Sequence, residues 1–254
     1  GMTKYWPVTM NVTEAQHEAL TSIIHTMDAG ETFPHIGQGF LARPILIEGD
    51  AGTGKTVVAT TLFYYLKTHP KYKSLKIGLV YSNPAMRNVI QQVFAHTPGL
   101  RKTDVIAPID VTKHHYDIII CDEAQRLRQA KNIGRYIVHF KKGNERLHLD
   151  NSHDELDWLL LNAGRLILFY DPKQIVCPSD ISQTKFDGRL KDRKRGIRPV
   201  ELKEQMRIHA GSQYVPYIYD ILFQRNNISK KFVNYDFKLF SSFQDLWNAL
   251  EEKE

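Results

Sequence analysis

Eight consecutive residues, Gly49-Asp50-Ala51-Gly52-Thr53-Gly54-Lys55-Thr56, fit the pattern G-x-x-x-x-G-K-S/T. The chemistry open to such a run is the holding of a polyphosphate. Its glycines let the backbone curl until successive N–H groups face one anion, at the positive end of the helix that follows. Lys55 then reaches the β- and γ-phosphates, and the Thr56 hydroxyl holds Mg²⁺. Further along stands an acidic pair, Asp122-Glu123. Asp122 is suited to hold the water shell of the same ion. Glu123 is suited to orient the attacking water or take its proton. A pair of acids can also simply cap a helix. The phosphate loop decides between the two readings, because one magnesium site needs both halves.

These residues do chemistry only if strands and helices bring them together. Pro44 to Glu48 reads as a buried strand running into the loop, and Thr56 to Lys67 has apolar residues at helical spacing. Ile77 to Tyr81 is a second apolar run. Asn83 and Pro84 then supply an N-cap and a first helical residue for a helix over Ala85 to His96. Asp117 to Cys121 predicts a third strand, with Asp122-Glu123 at its carboxyl end, where ligands bind in parallel sheets. Leu166 to Tyr170 predicts a fourth. Alternating strands and helices predict an α/β protein with a mainly parallel sheet. Leu127 to Asn151 is basic and weakly patterned, and reads as a mobile insertion. Ser152-x-x-Glu155 reads as a capping box for a helix reaching Asn162, with Gly164 just past its end. Arg189 to Arg198 reads as a solvated basic loop. Tyr214 to Phe223 and Phe243 to Lys253 predict helices, and Tyr235 to Phe240 a strand.

With 254 residues, 42% of them hydrophobic, the chain can bury a sizeable core. It has no apolar run of the ~20 residues needed to span a membrane. Two cysteines cannot build a disulfide framework, so a reducing, cytoplasmic location is expected. Gly1 ahead of Met2 reads as a cleavage scar, with no signal peptide behind it. The net charge of +6 is compatible with a polyanionic partner without requiring one. His114-His115 has no partner at metal-ligand spacing and reads as surface.

Asp122-Glu123-Ala124-Gln125-Arg126 resembles the D-E-A-Q/H-R stretch of superfamily 1 helicases. It is most similar to the bacterial helicase-like family of unknown function that shares its motor domain with Schlafen group III proteins. Three shorter segments agree in order and spacing. Thr13-x-x-Gln16 resembles the Q motif, which implies that Gln16 recognises adenine, although the same residues also form a capping box. Asp171-Pro172-Lys173-Gln174 resembles motif III, making Gln174 a γ-phosphate sensor; a simple turn is the alternative. Leu202-x-x-Gln205-Met206-Arg207 resembles the motif at the border of the second motor domain, which implies that Arg207 reaches the γ-phosphate; an ordinary surface arginine is the alternative. Tyr81-Ser82-Asn83-Pro84 resembles motif Ia, which places Ser82 and Asn83 on a nucleic-acid backbone, against the alternative of a helix cap at Asn83.

The resemblance implies a P-loop NTPase with a RecA-like, doubly wound parallel sheet. Residues 1–207 would form the ATP-binding motor domain, and residues 208–254 the start of a second, incomplete one. The expected activity is Mg-ATP binding and hydrolysis, coupled to movement on DNA or RNA, in single-stranded form. The alternative is an ATP-dependent switch or defence protein that binds a protein partner without translocating. No membrane association is expected.

Overall fold

The computed structural model describes residues 12–29, 44–191, 200–202, 213–223, 230–232 and 235–252. They divide into two compact units, Gly1–Lys203 and Glu204–Glu254. The first unit holds six parallel strands: β1 (Ile45–Gly49), β2 (Ile77–Tyr81), β3 (Val105–Ile106), β4 (Tyr116–Asp122), β5 (Ala163–Tyr170) and β6 (Val200–Leu202). Their order across the sheet is β3-β2-β4-β5-β1-β6. Thus β5 lies between the strand that leads into the phosphate loop and the strand that ends in Asp122.

Helices cover both faces, as a doubly wound α/β sheet requires. Strand side chains alternate with period two, and the core divides accordingly. Ile45, Ile47, Ile77, Leu79, Ile118, Ile120, Ile167 and Phe169 pack on one face. That face is covered by α1 (Glu14–Ala29), α2 (Lys55–Thr68) and α3 (Pro84–Ala95). Leu46, Val80, Ile119, Cys121, Leu166, Leu168 and Tyr170 pack on the other. Four helices follow in the chain: α4 (Pro108–Val111), α5 (Ile137–Arg146), α6 (Glu155–Asn162) and α7 (Gln183–Lys191). The parity has a functional consequence. Asp122 continues the 118–120 row and Asp171 the 167–169 row, so both acids emerge on the face that carries α2.

The strands and major helices lie where the apolar runs predict them, within a residue or three at their ends. Asn83 caps α3, its Oδ1 accepting the Ala85 and Met86 amides at 2.9 and 3.5 Å, with Pro84 behind it. Four expectations for the first unit are corrected.

The segment Leu127–Asn151 is not a mobile insertion. It contains α5, whose Phe140 packs on the buried Trp158 ring with centroids 4.8 Å apart. Trp158 Nε1 donates to Asn144 Oδ1 at 2.6 Å, and Asn144 donates to the Asp150 carbonyl at 2.9 Å. A Cβ on Gly143 would come within 2.6 Å of that indole. Few apolar anchors suffice because each is tightly placed. The cap of α6 is Asp154 rather than Ser152: Asp154 accepts the Leu156 and Asp157 amides, and Asp157 accepts the Asp154 amide. Gly164 is no helix cap. It sits inside β5, where a Cβ would lie 2.9 Å from the Asp117 carbonyl of neighbouring β4. Arg189 belongs to α7 rather than to a loop and, although exposed, pairs with Asp157 at 3.2 Å. The remainder of that basic run, 192–198, lies outside the described residues.

The second unit contains α8 (Tyr214–Leu222) and α9 (Phe243–Glu251). Tyr214, Tyr217, Phe232 and Phe237 meet edge to face beside α8. Tyr235 makes one antiparallel bridge to Phe232, and 236–240 form no strand, against expectation. Both cysteines are free. Among the described residues no helix is long and apolar enough to cross a membrane.

Candidate functional site

β1 ends at Gly49 and α2 begins at Lys55, so five residues must reverse the chain. Gly52 and Gly54 take φ of 84° and 85°, which an L side chain adopts only with strain. Thr53 closes the turn, its amide and hydroxyl both donating to the Asp50 carbonyl, at 3.3 and 2.9 Å. Gly54 is the N-cap of α2 and offers no side-chain acceptor, and the first turn carries no acid. The amides at this helix start therefore stay available to an anion. Lys55 is buried at 5% exposure. Its Nζ donates to the Gly49 and Asp50 carbonyls at 2.6 and 2.9 Å and stands 3.6 Å from Asp171 Oδ2.

The parallel register sets Tyr81 beside Asp122. Asp122 is fully buried, and its Oδ1 accepts the Glu123 amide at 3.0 Å. Its Oδ2 has no hydrogen-bond partner, and neither has the buried Tyr81 hydroxyl. Burial raises the Asp122 pKa, against the pull of the Thr56 and Tyr81 hydroxyls facing it and of the Lys55 charge. An orphaned carboxylate oxygen beside a threonine hydroxyl is an all-oxygen donor set of the kind magnesium takes. Among the described residues no cluster of three or more His, Cys, Asp or Glu could hold a metal by itself.

Glu123 stands in the left-handed region, at φ 55° and ψ 46°. A non-glycine residue held there is over-determined by its surroundings. The amide of Glu123 donates to Asp122 Oδ1 and its carbonyl accepts the Arg126 amide at 2.8 Å, while its side chain meets Gln125, which is fully buried. Its Nε2 donates to Glu123 Oε2 at 2.5 Å, while its Oε1 accepts the Asp171 amide at 3.1 Å. Gln174 Nε2 in turn donates to Asp171 Oδ2 at 2.6 Å. A hydrogen-bonded chain thus runs from Glu123 through Gln125 and Asp171 to Gln174. Burial, then the Asp122 charge, raise the pKa of Glu123.

The structure brings Lys55, Thr56, Asp122, Glu123 and Gln174 into one neighbourhood at the carboxyl ends of β1, β4 and β5. Gln16 joins them from α1. Its Oε1 accepts the Thr13 amide at 3.1 Å, so the capping box forms; the same side chain lies against Gly54, where a Cβ would collide with its amide nitrogen. In the loop, Asp50 is half-buried and Ala51 exposed. Ser82 is buried with its hydroxyl unpartnered, and the Asn83 oxygen is committed to capping α3. Arg207 lies outside the described residues. Sequence reasoning missed Tyr81, Gln125 and Asp171 as parts of this site. Asp171 and Gln125 carry local signals, the D-x-x-Q spacing to Gln174 and the D-E-A-Q/H-R stretch. The place of Tyr81 beside Asp122 depends on strand pairing between segments distant in sequence.

Comparison with solved structures finds loose likenesses. AMPPCP-bound DnaA from Aquifex aeolicus is 16% identical with a TM-score of 0.35, covering 87% of this chain and 56% of that one. Domain III of the Thermotoga maritima replication initiation protein DnaA is 13% identical with a TM-score of 0.37, covering 87% and 75%. PCH-2 of C. elegans is 15% identical with a TM-score of 0.33, covering 90% and 54%. An uncharacterized protein of Saccharomyces cerevisiae, YPL245W, is 25% identical over 244 residues, covering 82% of this chain. The chain spans about half, 51%, of that relative's length. The model of the Schlafen group 3 DNA/RNA helicase domain matches residues 43–254, most of the chain and all of the site except Gln16. By that match the chain belongs to the Schlafen group 3 DNA/RNA helicase domain family.

Proposed function

We propose that this chain binds Mg-ATP and hydrolyses it as the nucleotide-binding half of a superfamily 1-type motor acting on single-stranded DNA or RNA. The observation that carries the reading is Asp122 Oδ2, a fully buried carboxylate oxygen without a partner, beside Thr56 and behind the phosphate loop. A buried charge left unsatisfied is costly unless a ligand completes it.

Thr56 and Asp122 would hold Mg²⁺, which when bound would neutralise phosphate charge. The Lys55 ammonium would exchange its carbonyl partners for β- and γ-phosphate oxygens, and the backbone amides at the start of α2 would face the polyphosphate. Glu123 would take the proton of the attacking water as the water oxygen bonds to the γ-phosphorus and the bond to ADP breaks. Its raised pKa brings it closer to neutral, where a general base works best. Gln174, at the far end of the Gln125–Asp171 chain, would couple γ-phosphate occupancy to the placement of Glu123. Gln16 would face the adenine, Arg207 the γ-phosphate, and Ser82 with Asn83 the nucleic-acid backbone.

Calorimetry with Mg-ATP tests the site. Lys55→Ala should weaken binding at least about tenfold, or ~1.4 kcal/mol. Equal affinity for variant and parent would overturn the assignment. Stimulation of hydrolysis by a single-stranded oligonucleotide, weakening steeply with salt as phosphate contacts do, separates the motor from an ATP switch that never engages nucleic acid.

A further inference from the structure

Two ion pairs of opposite sense join the phosphate loop to the turn after β5. In one, the cation comes from the loop's end: Lys55 Nζ stands 3.6 Å from Asp171 Oδ2. In the other, the anion comes from the loop: Lys173 Nζ lies 2.8 Å from Asp50 Oδ1 and 3.0 Å from Oδ2, a contact to both oxygens across 123 residues of sequence. The first pair is buried, with side chains 4% and 1% exposed. The second is half exposed, at 48% and 37%.

A half-exposed lysine–carboxylate pair contributes on the order of 0–1 kcal/mol to stability, so holding the fold together is a poor account of it. Its location points elsewhere. Asp50 is a full negative charge inside a loop whose amides converge on a polyanion. Left alone, it would oppose every phosphate that approached, most strongly the terminal ones carrying most charge. The Lys173 ammonium on both of its oxygens removes that opposition. The turn itself is held by the Asp171 side chain, which accepts the Lys173 amide at 3.0 Å, so the lysine is presented from a fixed base.

We infer that Lys173 is a positioning residue of the phosphate site, neutralising Asp50 so that the loop accepts a polyphosphate. This rests on the phosphate-site reading above. The charge on the loop is then set from a different strand, and a shift of the β5 turn alters nucleotide affinity without touching the nucleotide.

The test is a double-mutant cycle read by calorimetry with Mg-ATP and with Mg-ADP. Lys173→Ala should weaken Mg-ATP binding about tenfold, and Mg-ADP binding less, since ADP carries less charge. Asp50→Asn should bind at least as tightly as the parent. In the double variant the loss should largely vanish, leaving affinity within about threefold of Asp50→Asn alone. A double variant as weak as Lys173→Ala would overturn neutralisation in favour of direct phosphate contact. Parent-like binding by Lys173→Ala would overturn the inference outright. Lys55→Ala in the same series separates the two levels: if it too binds like the parent, the phosphate-site reading has failed, and not merely the role of Lys173.

Discussion

Two of the buried acids in the first unit, Glu155 and Asp122, are treated in opposite ways. Glu155, in the first turn of α6, is 1% exposed with both oxygens in use. Oε2 accepts the Arg128 amide and Oε1 the Tyr136 hydroxyl, each at 2.8 Å. Arg128 also lies over the Tyr136 ring, 4.6 Å from its centroid. Asp154, its neighbour, caps the helix. Across the sheet, Asp122 is equally buried but keeps one oxygen unpartnered. The first acid is satisfied and pins the 128–136 segment to α6. The second keeps one oxygen open, as the proposed magnesium site requires. Degree of burial does not separate a structural acid from a functional one; what does is whether its lone pairs are already taken.

The largest effect that could break this comparison is kinetic. Glu123→Gln keeps shape and hydrogen-bonding capacity but removes the basic oxygen, so ATP turnover should fall by about 10² or more while Mg-ATP still binds. Steady-state hydrolysis and calorimetry on one preparation would show both; unchanged turnover would reduce Glu123 to a turn residue. Next come two substitutions with opposite signs. Glu155→Ala orphans an amide and a hydroxyl and should destabilise the protein by ~2 kcal/mol. Asp122→Asn removes an unsatisfied buried charge and should raise stability in nucleotide-free, EDTA-containing buffer by ~1 kcal/mol, while abolishing the stabilisation given by Mg-ATP. Denaturant titrations with and without Mg-ATP check both, and shifts of the same sign would erase the distinction.

The last effect is a pH dependence. Burial raises the Glu155 pKa from its ordinary 4.5 to about 7, against the Arg128 amide and Tyr136 hydroxyl that favour the charged form. A folded-state value above the unfolded one means that the folded chain binds the extra proton. The stability so gained is fully present below about 4.5 and is lost as pH rises through about 7. Glu155→Gln should remove that dependence, so its melting temperature relative to the parent should be higher at pH 8 than at pH 5. A difference that is flat with pH would mean that Glu155 titrates as an ordinary surface acid.

Much of this was legible in the sequence, for identifiable reasons. Central parallel strands are buried on both faces, so β2 and β4 read as unbroken apolar runs. The phosphate loop declares itself through glycines that no side chain could replace. Other parts were hidden. Helix α5 rests on Phe140, Gly143 and Asn144, three anchors in a basic segment whose common partner, Trp158, comes later in the chain. Asp154 displaced Ser152 as the cap because Asp157 completes its box one turn on, a choice that local spacing left open. Gln125 was visible within its motif, but its double hydrogen bond to Glu123 and Asp171 exists only once β5 lies beside β4.

The strand order also has a consequence for synthesis. β1 pairs with β5 on one side and β6 on the other, and both are made after it. While β2, β3 and β4 can join one another as they emerge, the strand behind the phosphate loop has neither neighbour until Ala163 and beyond have left the ribosome. At ~5–20 residues per second that interval is on the order of ten seconds. During it, Ile45, Leu46 and Ile47 stand as an apolar strand with both edges open, the form of chain most prone to pair with the wrong partner. The same crossing that sets β5 between the two halves of the site makes that site the last part of the sheet to form, and nascent chains stalled before Ala163 are where chaperone dependence of this fold should concentrate.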